Sequence, residues 1–299
     1  MSSVTAVLLN WNGKRYLQRC IGSLMRQTFE DFDVVFVDNA STDGSVQYVK
    51  DTFPDINVLE LSKNKGTTGG YNEGINYAVA NGTRYIWIMN TDTIVDKETL
   101  AELVNVARSD RKIGVVGSKI YFSLDKDRIW FAGGIIHKVY GTASHIGRDV
   151  KDIGQFNQIR EVDYITGCGI FIRRELVEDI GLFDERLFMY FEDVDFCFRA
   201  KKKHWKIVFT PKSKMWHQLP WASERETDRP PLADYYDTRN GLYFIRKNVD
   251  PKYVPLAIAF FLCRIIRKTM RILVRKETQK KDKLKNIVIG IRDYRNMMK

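Results

Sequence analysis

Residues 33–52 read DVVFVDNASTDGSVQYVKDT. The run opens with a β-branched and aromatic stretch, Asp33–Val37, breaks at a polar loop, and resumes with helical spacing over 43–52. A short apolar run bounded by turn residues fits a strand buried on both faces. The same unit repeats along the first 120 residues. Apolar runs stand at Val4–Leu9, Asn57–Leu61, Arg84–Met89 and Ile113–Val116, with helical patterns near 14–27, 71–81 and 97–108. In the first helical stretch Tyr16, Leu17, Cys20, Ile21, Leu24 and Met25 recur at the spacing of one buried face. Strand–helix alternation with continuously apolar strands predicts an α/β fold: a Rossmann-like, mostly parallel sheet flanked by helices. Ligands of such sheets sit where the strands end at their carboxyl edge.

Composition sets the frame for that reading. The chain has 299 residues, 44% hydrophobic and 28% charged, enough for one large core or two modest ones. Its four cysteines, Cys20, Cys168, Cys197 and Cys263, are scattered without a CxxC pair. That spacing predicts free thiols in a reducing compartment, neither a disulfide framework nor a zinc site. The opening MSSVTAVLLNWNG lacks a basic leader and reads as a first strand, so a cytoplasmic protein is expected.

Charge is unevenly placed. Residues 251–299 hold 14 Lys and Arg against 3 Asp and Glu, which accounts for the whole net charge of +11. A neutral body with a basic tail predicts an anionic surface met by one end of the chain. Arg264, Arg267, Lys268, Arg271 and Arg275 gather on one arc of a helix, with Leu262, Ile266 and Leu273 opposite. A weaker stripe, Leu284, Ile287, Ile291, Tyr294 and Met298, follows. Basic amphipathic helices of this kind lie in the headgroup plane of anionic membranes. The plainer alternative packs them on the body with their basic face in water. The apolar run Val254–Cys263 is too short to cross a bilayer.

Four strand-end loops carry the chemistry. Asn10-Trp11-Asn12-Gly13 offers amides and backbone N–H groups to a nucleotide or phosphate oxygen. In the second loop Asp38 suits a base imide or ribose hydroxyls, while Ser41 or Thr42 suits a cap for the next helix. Capping leaves Asp38 and Asn39 unexplained. The third, Asn64-Lys65-Gly66-Thr67-Thr68-Gly69-Gly70, combines glycines that allow close backbone approach with a lysine that offsets phosphate charge. It lacks the Gly-Lys-Ser/Thr ending of a P-loop, which disfavours ATP hydrolysis. The fourth, Asn90-Thr91-Asp92, delivers a carboxylate as a divalent cation on a diphosphate requires. Further on, Glu192, Asp193 and Asp195 stand among Phe188, Met189, Tyr190, Phe191, Phe196 and Phe198. Desolvation and like charge raise carboxylate pKa values, and a carboxylate so placed can take a proton from a hydroxyl.

Together the loops and the acidic segment resemble family 2 glycosyltransferases with the GT-A fold, nearest to rhamnosyltransferase-like enzymes of surface-polysaccharide assembly. The resemblance runs from Val4 to about residue 245 and rests most on VDNASTDGS (37–45), Gly69-Gly70-x-Asn72, Asn90-Thr91-Asp92 and GLFDERLFMYFEDVDFCFRA (181–200). It implies an inverting transfer from a nucleotide-diphosphate sugar, dTDP-L-rhamnose before UDP-hexoses, to a glycan or polyprenyl-diphosphate-linked acceptor. It also implies a nucleotide-sugar half at 1–120 and an acceptor and catalytic half at 121–250; the membrane-associating helices expected at 251–299 rest on their charge and spacing alone. The nucleotide-sugar residues implied are Asn10, Asn12, Asp38, Asn39, Asn64, Lys65, Gly69, Gly70, Asn90 and Thr91. Asp193 matches the general base, with Glu192 beside it. Asp92 and His217 match positions holding Mg²⁺ or Mn²⁺, and Gly167-Cys168-Gly169 matches the segment facing donor sugar and acceptor. Asn90 replaces the first acid of the family's Asp-x-Asp, a variation common in this subgroup that lowers the local negative charge.

The expected location is the inner face of the cell membrane, peripherally bound; the oligomeric state is left open. A non-catalytic nucleotide-sugar-binding scaffold would keep the same loops. A nucleotidyltransferase would show a glycine-rich basic loop after the first strand, where Asn10–Gly13 stands instead. A nucleic-acid-binding protein would leave the acidic cluster without purpose, so no nucleic acid is expected.

Overall fold

All seven residues of Val4–Asn10 are buried, a pattern that needs a strand covered on both faces. The computed structural model, which describes residues 2–218, 229–275 and 277–297, supplies those covers. Its elements run β1 (Val4–Asn10), α1 (Lys14–Leu24), β2 (Phe32–Asp38), α2 (Ser45–Thr52), β3 (Asn57–Glu60), α3 (Gly66–Ala80), β4 (Tyr85–Asn90), β5 (Thr93–Val95), α4 (Thr99–Ser109) and β6 (Ile113–Phe122). There follow β7 (Arg128–Phe131), β8 (Gly134–His137), β9 (Thr142–His145), β10 (Val150–Lys151), β11 (Arg160–Glu161), β12 (Gly169–Arg173), α5 (Arg174–Ile180), α6 (Glu192–Lys202) and β13 (Lys206–His217). Three helices close the chain: α7 (Pro231–Asn248), α8 (Val254–Val274) and α9 (Lys280–Met297).

The strands β3-β2-β1-β4 form a parallel centre. Beyond β4 the sheet continues through antiparallel β12 to β6, β7 and β10. Leu17, Cys20, Ile21 and Leu24 of α1 are fully buried against it, as their spacing predicts, whereas Tyr16 is half-buried and Met25, past the last helical residue, is exposed. Each such aliphatic side chain contributes about 1.5–3 kcal/mol on removal from water.

The expected strand at 205–209 is longer in the structure. β13 pairs with β6, shifts register between Thr210 and Lys214, and runs on to pair His217 with Thr93 of β5. That irregularity carries His217 to the end of the fourth loop. The run expected at 162–164 is not a strand: β11 ends at Glu161, and Tyr164 makes a single bridge to Gly134.

A second correction concerns α3. It begins at Gly66, five residues earlier than the periodicity suggested, so Gly69 and Gly70 lie inside a helix. A Cβ on Gly70 would stand 2.3 Å from Leu9 Cδ1, and one on Gly74 would stand 2.1 Å from Val7 Cγ1. The glycines let α3 sit directly on β1, where larger side chains would lift it away.

The three C-terminal helices share a smaller core. Leu242, Ile245 and Val249 pack with Val254, Ala257 and Phe261, and Ile291 and Tyr294 of α9 join them. This core draws on both sides of residue 250. The basic arc of α8 is partly turned inward: Lys268 Nζ lies 2.6 Å from Asp234 and 3.0 Å from Asp237, and Arg264 lies 3.6 Å from Asp237. Burial works against the charge on Asp237, yet Lys268 and Arg264 hold its carboxyl below the usual range. Leu262, Ile266 and Leu273 stay exposed, joined by Leu256, Phe260, Met270 and Val274. Met298, the last member of the second stripe, lies outside the described residues, as does most of Pro220–Pro231. Among the described residues no helix is long and apolar enough to cross a membrane.

The contact between α3 and β1 makes a counter-intuitive prediction. Gly74→Ala gains about 1 kcal/mol of helix propensity but crowds Val7, and overpacking costs about 1–3 kcal/mol. Its melting temperature falls below that of the parent; a rise in thermal unfolding measurements would show that α3 does not rest on β1 this closely.

Candidate active site

The parallel register sets Asn10 beside Asp38, and their side chains bond across the strand ends. Asn10 Nδ2 donates to Asp38 Oδ1 at 2.9 Å, Ser41 N donates to Asp38 Oδ2 at 2.8 Å, and Thr91 Oγ1 donates to Asn10 Oδ1 at 3.1 Å. Asn10, Asp38 and Thr91 are buried, so the first, second and fourth loops share one lattice. Asn12 belongs to its rim, donating its N–H to Ser41 Oγ and accepting Thr42 N at 2.8 Å each.

The capping assignment changes. Ser41 and Thr42 bond to Asn10 and Asn12, while Asp43 accepts Lys14 N at 2.8 Å and Ser45 N at 3.0 Å. One carboxylate therefore stands at the first turns of both α1 and α2, where the helix dipoles favour it.

Asn39 braces the third loop. Its Nδ2 donates to Asn64 Oδ1 and Gly66 O at 3.0 Å each, and its Oδ1 accepts Lys65 N at 2.8 Å. Lys65 Nζ lies 2.5 Å from Glu73. In this arrangement its charge is matched within the protein.

Asp92 and His217 meet at the far side. Asp92 Oδ1 lies 3.2 Å from His217 Nε2, at an angle that makes no hydrogen bond. Asp92 Oδ1, His217 Nδ1 and Gln218 Nε2 are buried and unpartnered, although Gln218 N donates to Asp92 O at 2.7 Å. Trp130 and the His217 ring pack edge to face with centroids 4.7 Å apart. Each buried polar atom without a partner costs about 1–3 kcal/mol, so a cluster of them marks a place kept for something else. Among the described residues no three His, Cys, Asp or Glu side chains converge as a cation cage. Two ligand-type atoms on a shelf fit an Mg²⁺- or Mn²⁺-like ion that completes its shell with diphosphate oxygens and water.

A buried phenol joins this shelf to the acidic segment. Tyr71 Oη stands 2.7 Å from Asn90 Oδ1 and 3.0 Å from Gly167 O. Gly167 N donates to Asp193 Oδ2 at 2.9 Å, and Val194 N donates to Asp193 Oδ1 at 2.8 Å. A Cβ on Gly167 would press on Tyr71 at 3.1 Å. Cys168 next to it is buried, and burial pushes its thiol well above the usual range, so it is no thiolate nucleophile. Gly169 begins β12 and has Met215 Sδ against it.

The three acids of the segment part company. Asp195 is buried and fully paired, accepting Arg199 Nε at 3.0 Å and Asn248 Nδ2 at 2.9 Å, with Lys247 Nζ 2.8 Å away. Glu192 is buried with Oε2 unpartnered. Burial first, then the Asp193 charge, raises its pKa. Burial also raises Asp193, but the N–H groups of Gly167 and Val194 oppose that shift. The two carboxyls titrate as a pair, and the N–H groups at Asp193 favour the charge there and the proton on Glu192.

Sequence reasoning placed no role on Tyr71, Trp130 or Gln218. Tyr71 fills the variable position of Gly69-Gly70-x-Asn72, and a tyrosine directly after two glycines was the available signal; nothing near Trp130 singles it out.

Known proteins resemble this chain in sequence and in fold. The family model for glycosyl transferase family 2 matches residues 5–181. The chain is 27% identical over 183 residues to the low-salt glycan biosynthesis hexosyltransferase Agl10 of Haloferax volcanii, covering 58% of this chain and 55% of that protein. It thus spans about half of that relative's length. It is 25% identical to an N-acetylglucosaminyl-diphospho-decaprenol L-rhamnosyltransferase of Mycobacterium tuberculosis, covering 74% and 77%. With the dTDP-rhamnosyl transferase RfbF of Shigella flexneri it shares 23% identity over 86% and 83%. The crystal structure of S. aureus TarS 1-349 in complex with UDP-GlcNAc superposes with a TM-score of 0.62 at 18% identity, covering 99% of this chain and 81% of that one.

The proton on Glu192 has a thermodynamic signature. The folded state binds it more tightly than the unfolded chain, so stability falls as pH rises from the ordinary carboxylate range toward the raised value. Glu192→Gln removes that dependence. Its melting temperature relative to the parent rises between pH 5 and pH 9 in a buffer series. A difference that stays flat across the series contradicts a protonated Glu192.

Proposed function

The chain belongs to glycosyl transferase family 2, and from that premise we propose an inverting transfer of a sugar from a nucleoside-diphosphate donor to an acceptor hydroxyl. The observation that carries it is the bonded series Asn90–Tyr71–Gly167–Asp193, which ties a partly shielded carboxylate to the end of β4, beside β1 in the sheet. A base needs a free lone pair and a steady position. The N–H groups of Gly167 and Val194 and the Thr166 hydroxyl hold the Asp193 carboxylate in place, and a remaining lone pair can receive an incoming hydroxyl.

In the reaction Asp193 takes the hydroxyl proton as the acceptor oxygen bonds to the anomeric carbon. The bond from that carbon to the diphosphate oxygen breaks, and its electron pair leaves with the nucleoside diphosphate. Attack opposite the leaving group inverts the carbon. Neutral Glu192 beside the base adds no second negative charge where the departing diphosphate is already anionic. Asp92 and His217 are the residues that would hold a divalent ion, Mg²⁺ or Mn²⁺, whose charge favours the leaving diphosphate. The buried Asn10–Asp38–Thr91 lattice gives the nucleoside side a rigid floor, and Asn39 fixes the loop carrying Asn64 and Lys65.

The donor favoured is dTDP-L-rhamnose, with UDP-hexoses next. The rhamnosyltransferases of M. tuberculosis and S. flexneri support that order. The acceptor class is a glycan or a polyprenyl-diphosphate-linked sugar, in cell-surface polysaccharide or glycoprotein glycan assembly. The outward face of α8 suits such an acceptor. Its row of Leu256, Phe260, Leu262, Ile266, Met270, Leu273 and Val274 enters the headgroup boundary, and the basic excess of 251–299 is drawn to anionic lipid. The protein then sits peripherally on the inner membrane face.

Two measurements test this. Asp193→Asn lowers turnover by about 10²–10⁴-fold in a transfer assay while calorimetric binding of the donor persists; near-normal turnover removes Asp193 as base. Ile266→Glu combined with Met270→Glu abolishes co-sedimentation with anionic vesicles and spares transfer to a soluble acceptor. These substitutions are preferable to deleting 252–299, which would strip Leu242, Ile245 and Val249 of their packing. Vesicle binding that survives both changes excludes the α8 face as the anchor.

A further inference from the structure

The segment before Glu192 is held in an unusual shape. Phe188, Tyr190 and Phe191 all have left-handed φ, at 60°, 68° and 70°. Side chains other than glycine rarely adopt that region, because Cβ crowds the following carbonyl oxygen. Three such residues within four persist only when their surroundings over-determine them.

The surroundings are two consecutive residues of α7. Asn240 is fully buried, and its Nδ2 shares two hydrogens among Leu187 O at 2.8 Å, Met189 O at 2.7 Å and Tyr190 O at 2.9 Å. Arg239 Nη2 donates to Arg186 O at 2.9 Å and Leu187 O at 3.0 Å. Its Nε donates to Asn240 Oδ1 at 2.9 Å, which fixes the amide with its nitrogen toward the carbonyls. The carbonyl of Phe188 faces the other way and accepts Thr68 N, in the first turn of α3, at 3.1 Å. The Phe188 ring stacks on Tyr236 of α7. One short turn thus touches the donor-side helix α3 through the Phe188 carbonyl and ring, touches α7 through its other carbonyls, and passes directly into the Glu192–Asp193 pair.

We propose that Arg239 and Asn240 are positioning residues for the transfer: they lock the left-handed turn that sets Asp193 against α3. The proposal rests on the assignment of Asp193 as base. Losing the lock costs rate and leaves nucleotide affinity intact, because neither residue belongs to the lattice of Asn10, Asp38 and Thr91. A displacement of about 1 Å at a reacting group lowers rate by about 10²-fold.

The test uses the full chain with Asn240→Asp, which keeps the size and shape but removes both donors, and Arg239→Lys, which keeps the charge but loses the fork. Transfer is followed with the donor of a dTDP-L-rhamnose and UDP-hexose panel that the parent turns over fastest, and affinity with dTDP and UDP by calorimetry. Expected are a kcat lower by about 10- to 100-fold, nucleotide affinity within about twofold, and an acid limb of the pH profile moved toward ordinary carboxylate values as Asp193 becomes wetter. A folded Asn240→Asp whose kcat stays within about twofold of the parent overturns the proposal, as do equal losses of kcat and affinity. Should Asn240→Asp not fold, Arg239→Lys decides by the same criteria. Carboxyl titration of Glu192 and Asp193 by NMR reads the displacement without any transfer. A parent that transfers from no donor sinks the transferase reading, while unchanged carboxyl titrations in the variants sink this one.

Discussion

The hydroxyl of Tyr71 is the contact on which the site depends. It is buried, and it shares its one hydrogen between the Asn90 side-chain oxygen at the end of the parallel centre and the Gly167 carbonyl on the loop that holds Asp193. Tyr71 reaches both because α3 lies directly on β1, and α3 lies there because Gly70 and Gly74 place no side chain between helix and strand. A packing constraint deep in the sheet is thereby converted into the placement of a carboxylate. Burial raises the Tyr71 hydroxyl far above its ordinary range, so it remains a proton donor at any physiological pH.

Electrostatics then sorts acids that are adjacent in the chain. Asp195, in the same first turn of α6 as the pair, is neutralised by Arg199 and Lys247, accepts a hydrogen bond from Asn248, and ties α6 to α7. Glu192 and Asp193 receive no cation of that kind: backbone N–H groups bond them, and the Thr166 hydroxyl adds a bond to Asp193. The division into a paired structural acid, a protonated acid and a charged acid within four residues is what lets one helix start serve both architecture and proton transfer. The same contrast separates Asp43, consumed by two helix starts, from Asp92, whose buried oxygen is left without a bond beside His217.

The C-terminal helices extend this logic outward. α7 bonds the turn before Glu192 on one side and neutralises α8 on the other, with Asp234 and Asp237 facing Lys268 and Arg264. Part of the basic arc is therefore spent inside the protein, and what α8 turns outward is largely aliphatic and aromatic. An amphipathic helix was legible from the spacing of its residues. Which face would meet the body was not, because the acids that select it lie thirty residues earlier on another helix.

The amino-acid order by itself determined the strand–helix alternation, the burial of the strands, and the loops at which Asn10, Asp38, Asp92 and Asp193 stand. Those features are local: period, turn residues and apolar runs act over a few positions. Only the tertiary structure decided that Gly70 serves packing, that Lys65 is matched by Glu73, that Ser41 binds Asn10 and leaves capping to Asp43, and that Tyr71, Trp130 and Gln218 border the site. Hydrogen bonds and charge pairs between residues tens of positions apart fall off within a few ångströms. They exist only once the sheet has brought the strand ends together, and no periodicity in the chain encodes them.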